Sequence, residues 1–120
     1  MTLQSAHADW AWVVVFANAL AGLWALGAHR FAALRHPAMW WFTIAAEVAI
    51  FVQVALGVAL VAIDGFEVDH FHAFYGFVAL VTVGLIYSYK AQIDPWRYLL
   101  YGFGGLFLMG LALRAIALPA

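Results

Sequence analysis

The chain has 120 residues, of which 68% are hydrophobic and only 9% charged, and its mean hydropathy is +0.98. A soluble domain has about a quarter of its residues charged, so this chain lacks the polar surface to cover itself in water. Five Lys+Arg against six Asp+Glu leave a net charge of -1, without the basic field that nucleic-acid binding needs. The absence of cysteine excludes disulfides, thiol catalysis, iron–sulfur clusters and cysteine-type zinc sites. What remains is a multi-pass protein of the cell (inner) membrane, whose first partner is the lipid bilayer.

A membrane helix needs about 20 mostly apolar residues. Charges and prolines divide the sequence into four such stretches, near 10–29, 38–63, 70–89 and 96–118. They predict an all-α, up-down four-helix bundle forming one membrane domain over residues 1–120. The leader before Trp10 has no Lys or Arg, unlike the positive start of a secretory signal, so the first span is expected to be a retained helix. Along it Asn18, Ala21, Gly22 and Ala25 form a stripe at i, i+3, i+4 and i+7, the kind of small-residue face through which membrane helices approach closely.

The first loop holds Arg30, Arg35 and His36, and Pro37 stands where a second helix would begin. Within that second span Glu47 is the only deeply placed acid. Counting about 1.5 Å per residue from the ends puts Glu47 about 14 Å deep, Asn18 about 16 Å and Thr82 about 12 Å. The three share a level near the midplane, which predicts a buried polar cluster of Asn18, Glu47 and Thr82 with a neutral Glu47. Such a cluster either ties helices together or carries protons.

Asp64, Glu67 and Asp69 make the second loop acidic. Asp69 is the expected N-cap of the third helix, which opens Asp69-His70-Phe71-His72-Ala73-Phe74-Tyr75-Gly76 and runs on through Ala79 and Thr82. His72 and Tyr75 face alike and stand near the height of Gln53, making these three the candidate cofactor-binding residues. Asp69, His70 and His72 are candidate metal ligands by residue type, although on a regular helix His70 and His72 diverge by about 200°.

The third loop contains Lys90 and Asp94, with Pro95 and Arg97 at the edge of the fourth span. Four of the five basic residues therefore lie in the first and third loops, which places both termini and the acidic loop on the outer side. Trp10 and Trp12 at one end, and Trp40, Trp41 and Trp96 at the other, suit the two headgroup layers. Gly102, Gly105, Met109 and Ala112 form a second contact stripe on the fourth helix, with Arg114 on the opposite side. No P-loop, His-Glu-x-x-His or Gly-x-Ser-x-Gly motif is present.

The run Gln53-Val54-Ala55-Leu56-Gly57, followed by His70 and His72 at the start of the next helix, resembles the glutamine, glycine and histidine placement in four-helix membrane b-haem proteins of the cytochrome b561-like and haem A synthase-like families. The resemblance spans about a quarter of the chain. It implies haem b or a quinone between helices, with a helix histidine as axial ligand. Bis-histidine ligation needs a second histidine at the same level, where only His7 stands, ahead of the first span, so one axial histidine or none is expected. The overall plan is also similar to small uncharacterised four-span bacterial membrane proteins. Small multidrug exporters carry their acid in the first helix, whereas here it is in the second.

Three functions follow as expectations. The first is an accessory or interaction subunit docked on a larger membrane complex, such as a respiratory one, or on further copies of itself. The others are a haem- or quinone-binding redox protein, and a proton-coupled transporter using Glu47.

Overall fold

A computed structural model of the chain describes residues 2–89 and 94–118. Among them the chain forms four α-helices: α1 (Leu3–Arg30), α2 (Pro37–Asp64), α3 (His70–Tyr89) and α4 (Arg97–Ala117). Short 3-10 turns at Ala32–Leu34 and Asp94–Trp96 precede α2 and α4. All four helices are long and apolar enough to cross a membrane. Lys90 of the third predicted loop lies outside the described residues.

Helix α1 starts seven residues before its predicted boundary, and the reason is local. Thr2 and Ser5 form a capping box, in which the Thr2 hydroxyl accepts from the Ser5 N–H at 3.0 Å and the Ser5 hydroxyl accepts from the Thr2 N–H at 3.0 Å. Two otherwise orphaned donors are satisfied there, so the helix begins where its cap is, ahead of the apolar run. Its 28 residues extend about 42 Å, more than the hydrocarbon thickness of about 30 Å.

The connections are equally specific. At the end of α1, Arg35 donates to the carbonyls of Ala28 (2.6 Å) and His29 (3.0 Å), satisfying acceptors that helix geometry leaves open. The Trp24 indole N–H holds the Leu34 carbonyl at 2.9 Å. His36 caps α2 by accepting the Ala38 N–H on Nδ1 at 3.0 Å, and Pro37 takes the first helical position, where no N–H is needed. Helix α2 ends at Gly65, whose φ of +73° is the left-handed cap that favours glycine. Asp69 caps α3 as expected, with its Oδ2 accepting from the N–H groups of Phe71 (3.1 Å) and His72 (3.3 Å).

Helix α1 is the hub. It packs most extensively on α4 and next on α2, while α3 packs mainly on α4 and only lightly on α2. The α1–α4 contact is backbone against backbone: a Cβ added to Gly22 would stand 2.8 Å from the Gly102 carbonyl oxygen, and one on Gly105 would stand 2.9 Å from the Gly22 Cα. All four members of the predicted α1 stripe, Asn18, Ala21, Gly22 and Ala25, are buried, as are Gly102 and Gly105. Helix α3 is covered less fully. Gly76 faces open space, and the buried residues of α3 are Val83 and Ile86, the latter lying against Gly104.

Val14, Ala49, Ile50, Val83, Ile86, Leu108 and Leu111 make the main core, drawn from all four helices. A second core of Ala25, Ala28 and Met39 sits under Trp24, Trp40, Tyr98 and Tyr101 at the Arg35 end. Interhelical hydrogen bonds reinforce the packing. The Trp10 indole N–H donates to the Ala49 carbonyl at 2.8 Å, and the Asn18 amide donates to the carbonyls of Val14 (2.9 Å) and Ala46 (3.2 Å).

Candidate functional site

At the Asp69 end of the bundle the four helices bring together one polar group. The sequence places His7 just over one turn into α1, Gln53 and Gly57 one turn apart on α2, His72 at the start of α3 and Ala115 near the end of α4. The Gln53 Nε2 donates to the His7 carbonyl oxygen at 2.7 Å, locking α2 against α1. That contact also fixes the amide's orientation, because the reverse would set two oxygens against each other.

The His7 ring lies on Gly57, where an added Cβ would come within 3.2 Å of its Cε1. An alanine at this position would press on the imidazole, which would have to give by a few tenths of an ångström. The His7 and His72 ring centres are 6.0 Å apart, with the planes inclined at 67°. On the far side, His72 Nδ1 is 2.9 Å from the Ala115 carbonyl oxygen. A carbonyl only accepts, so Nδ1 carries the proton, and in the neutral ring Nε2 is then the nitrogen with the free lone pair.

Two buried atoms of this group, His7 Nδ1 and Gln53 Oε1, have no hydrogen-bond partner. Buried polar groups are ordinarily satisfied, and leaving one unpaired costs about 1–3 kcal/mol. Gln53 Oε1 can only accept, so what is missing opposite it is a donor or a cation.

His7 corrects the sequence expectation. It stands inside α1 because the Thr2–Ser5 cap extends the helix, so a second histidine occupies the level of His72 on another helix. Thr2 followed three residues later by Ser5 was the available signal. Gln53 and His72 both contact His7 in this group. Tyr75 instead packs against the main core and lies edge-on to Phe74, with ring centres 5.8 Å apart.

Asp69, His70 and His72 do not converge as a metal set. Asp69 caps α3, His70 is exposed and His72 turns to Ala115. Among the described residues, no group of three or more His, Asp or Glu is placed to hold a metal ion.

Midway along the bundle, Asn18 is 1% exposed and bonded to the α2 backbone at Ala46, one residue before Glu47. Asn18 thus bonds to the α2 backbone beside Glu47. The Thr82 hydroxyl donates to the Val78 carbonyl of its own helix at 2.7 Å. Glu47 is half-buried and lies within electrostatic reach of the Tyr101 hydroxyl on α4. Tyr101 was not anticipated, because an aromatic at helical spacing carries no distinguishing signal.

Compared with known proteins, the chain matches no family model, no curated protein and no solved structure. The functional argument therefore rests on the site itself.

Haem b, implied by the sequence resemblance, can be tested against these residues. Two imidazoles that share one metal axially, each nitrogen about 2 Å from it, have ring centres about 6 Å apart. His7 and His72 meet that spacing. A backbone carbonyl holding the distal nitrogen, as Ala115 holds His72, is the usual support for a metal-ligating imidazole. The unpartnered His7 Nδ1 and Gln53 Oε1 agree with a site built around an absent cationic centre. A quinone suits the group less well, since its carbonyls require donors and the unpaired Gln53 oxygen is an acceptor.

Proposed function

We propose that this chain is a small integral membrane haem protein of the inner membrane, in which His7 and His72 would hold one haem b near its outer face. The observation that carries the proposal is the two imidazoles from different helices, 6.0 Å apart, in a group with two unpartnered buried polar atoms. When bound, haem supplies one-electron transfer, and its potential is set by axial ligands, hydrogen bonding and burial.

The chain's own residues have defined parts. The Ala115 carbonyl orients His72, Gly57 accommodates His7, and the Gln53 amide holds the first turns of α1 to α2. The lightly packed α2–α3 seam is the side on which a broad planar group meets least resistance. Orientation follows from the charges: the end with Arg30, Arg35 and Arg97 faces the cytoplasm and both termini face outward. The short loops hold no soluble catalytic domain, so electrons pass to and from partner proteins. The chain thus serves as a small redox subunit of a larger membrane complex, and the largely exposed α3 is the helix available for that contact.

The test is the visible spectrum of detergent-purified protein, produced with haem available, before and after reduction. A Soret band that sharpens on reduction and is lost in both His7→Ala and His72→Ala is expected. Protein that binds no haem, or a band insensitive to both substitutions, would overturn the proposal.

A further inference from the structure

We infer that Gln53 is the positioning residue of His7: its side-chain oxygen Oε1 accepts the proton carried on His7 Nδ1 and so leaves the free lone pair of that ring on Nε2. That Nε2 then meets a metal rests on the haem proposal, whereas the placing of the proton does not.

Among the described residues only two buried side-chain nitrogen or oxygen atoms lack a hydrogen-bond partner, His7 Nδ1 and Gln53 Oε1. They belong to residues that are already joined, since the Gln53 Nε2 donates to the His7 carbonyl at 2.7 Å. That bond settles the orientation of the amide, so the atom left over on Gln53 is an oxygen, which only accepts. A neutral imidazole offers one N–H and one lone pair. With the N–H on Nδ1, a single hydrogen bond satisfies both leftover atoms. With the lone pair on Nδ1, Oε1 stays unpaired, and buried polar atoms are rarely left so.

The surroundings narrow the choice further. Gly57 stands one turn beyond Gln53 on the same face of α2, and a Cβ added there would come within 3.2 Å of the His7 Cε1, 3.8 Å of Nδ1 and 3.9 Å of Nε2. The ring therefore lies along the stretch of α2 from which the Gln53 side chain projects. The Gln53 main-chain carbonyl is also beside the ring, but within α2 it already accepts from the Gly57 N–H. This leaves Oε1 as the acceptor without a donor. Rotation about the last side-chain bond of histidine is broad, so the ring can turn to meet it without leaving its main rotamer well.

His72 shows the same arrangement completed, with its Nδ1 2.9 Å from the Ala115 carbonyl oxygen. The hydrogen bond made by one ring nitrogen decides which nitrogen is left to ligate. Gln53 and Ala115 thus set both rings, whose centres are 6.0 Å apart, in the one tautomer that presents Nε2.

The test uses the full, haem-free chain, isotope-labelled and held in a neutral detergent at a pH about two units above the ordinary imidazole pKa of about 6.5, where both rings are neutral. Long-range proton–nitrogen correlation spectra read the tautomer of each histidine. The parent is expected to show His7 and His72 both protonated on Nδ1. Gln53→Met removes the acceptor at similar length and should shift His7 to a mixture of tautomers or to the Nε2-protonated form, with His72 unchanged. Gln53→Glu keeps an oxygen acceptor without the amide donor and should restore the Nδ1-protonated His7. An Nε2-protonated His7 in the parent would overturn the inference whatever the variants do. So would a His7 tautomer that Gln53→Met leaves unmoved, or one that Gln53→Glu shifts as far as Gln53→Met, which would make the residue a tie between helices only. A protein that binds no haem yet shows the expected tautomers would refute the haem proposal and leave the role of Gln53 standing, while a haem-binding protein without them would do the reverse.

Discussion

Replacing Gly22 by alanine adds one methyl group where α1 crosses α4. The new Cβ would stand 2.8 Å from the Gly102 carbonyl oxygen and 2.9 Å from the Leu106 nitrogen, about 0.6 Å inside the 3.4 Å at which ordinary contact begins. Both neighbours are backbone atoms, so no side chain can turn aside and the two helices must separate along their most extensive contact. Overpacking of this kind costs about 1–3 kcal/mol, against which alanine regains about 0.5–1 kcal/mol over glycine in a helix interior. A net loss of about 1–2 kcal/mol is expected. Gly76→Ala provides the contrast, because nothing lies within 4 Å of its added Cβ and only the helix-propensity gain remains. Reversible unfolding in mixed detergent micelles, followed by far-UV circular dichroism, should show Gly22→Ala destabilised and Gly76→Ala unchanged or stabilised by up to about 1 kcal/mol. Equal stability of the two variants would refute the close α1–α4 crossing.

Three further outcomes follow from particular contacts. Asn18→Ala removes the bond to the Ala46 carbonyl and leaves a small void, and should cost about 1–2 kcal/mol in the same unfolding assay. Gly57→Ala places a methyl group 3.2 Å from the His7 Cε1, and should lower haem affinity severalfold in a spectrophotometric titration while the unfolding midpoint stays near that of the parent. Thr2→Ala breaks the capping box and should cost about 0.5–2 kcal/mol of helix stability, read as faster amide exchange over the first turns of α1, next to His7.

Much of the architecture was legible in the sequence because lipid leaves so few choices. The second, third and fourth spans fall within one residue of α2, α3 and α4, since prolines, Gly65 and the Asp69 cap coincide with the ends of their apolar runs. In α1 they do not coincide. Hydropathy marks where the chain leaves hydrocarbon, whereas the helix starts at its cap, so hydropathy alone puts His7 before the helix. That one boundary decided whether His72 had a counterpart. The α1 and α4 stripes were readable because glycine pairs leave a distinctive pattern. The sequence of α3 did not reveal which neighbour would cover it, and contact through Val83 and Ile86 left Gly76 open. Asn18, Gln53 and His72 were conspicuous as polar residues among apolar ones. Tyr101 beside Glu47, and Tyr98 between two arginines, depend on where α4 sits against its neighbours, which spacing along one helix does not encode.

The central claim is that His7 and His72 together hold haem b, and the most direct measurement is the reduced-minus-oxidised visible spectrum of the purified chain beside His7→Ala and His72→Ala. A reduced b-type spectrum at one haem per chain, abolished or shifted by each substitution with folding intact by circular dichroism, is the predicted result. A folded, colourless parent protein that remains colourless on adding haem would contradict it.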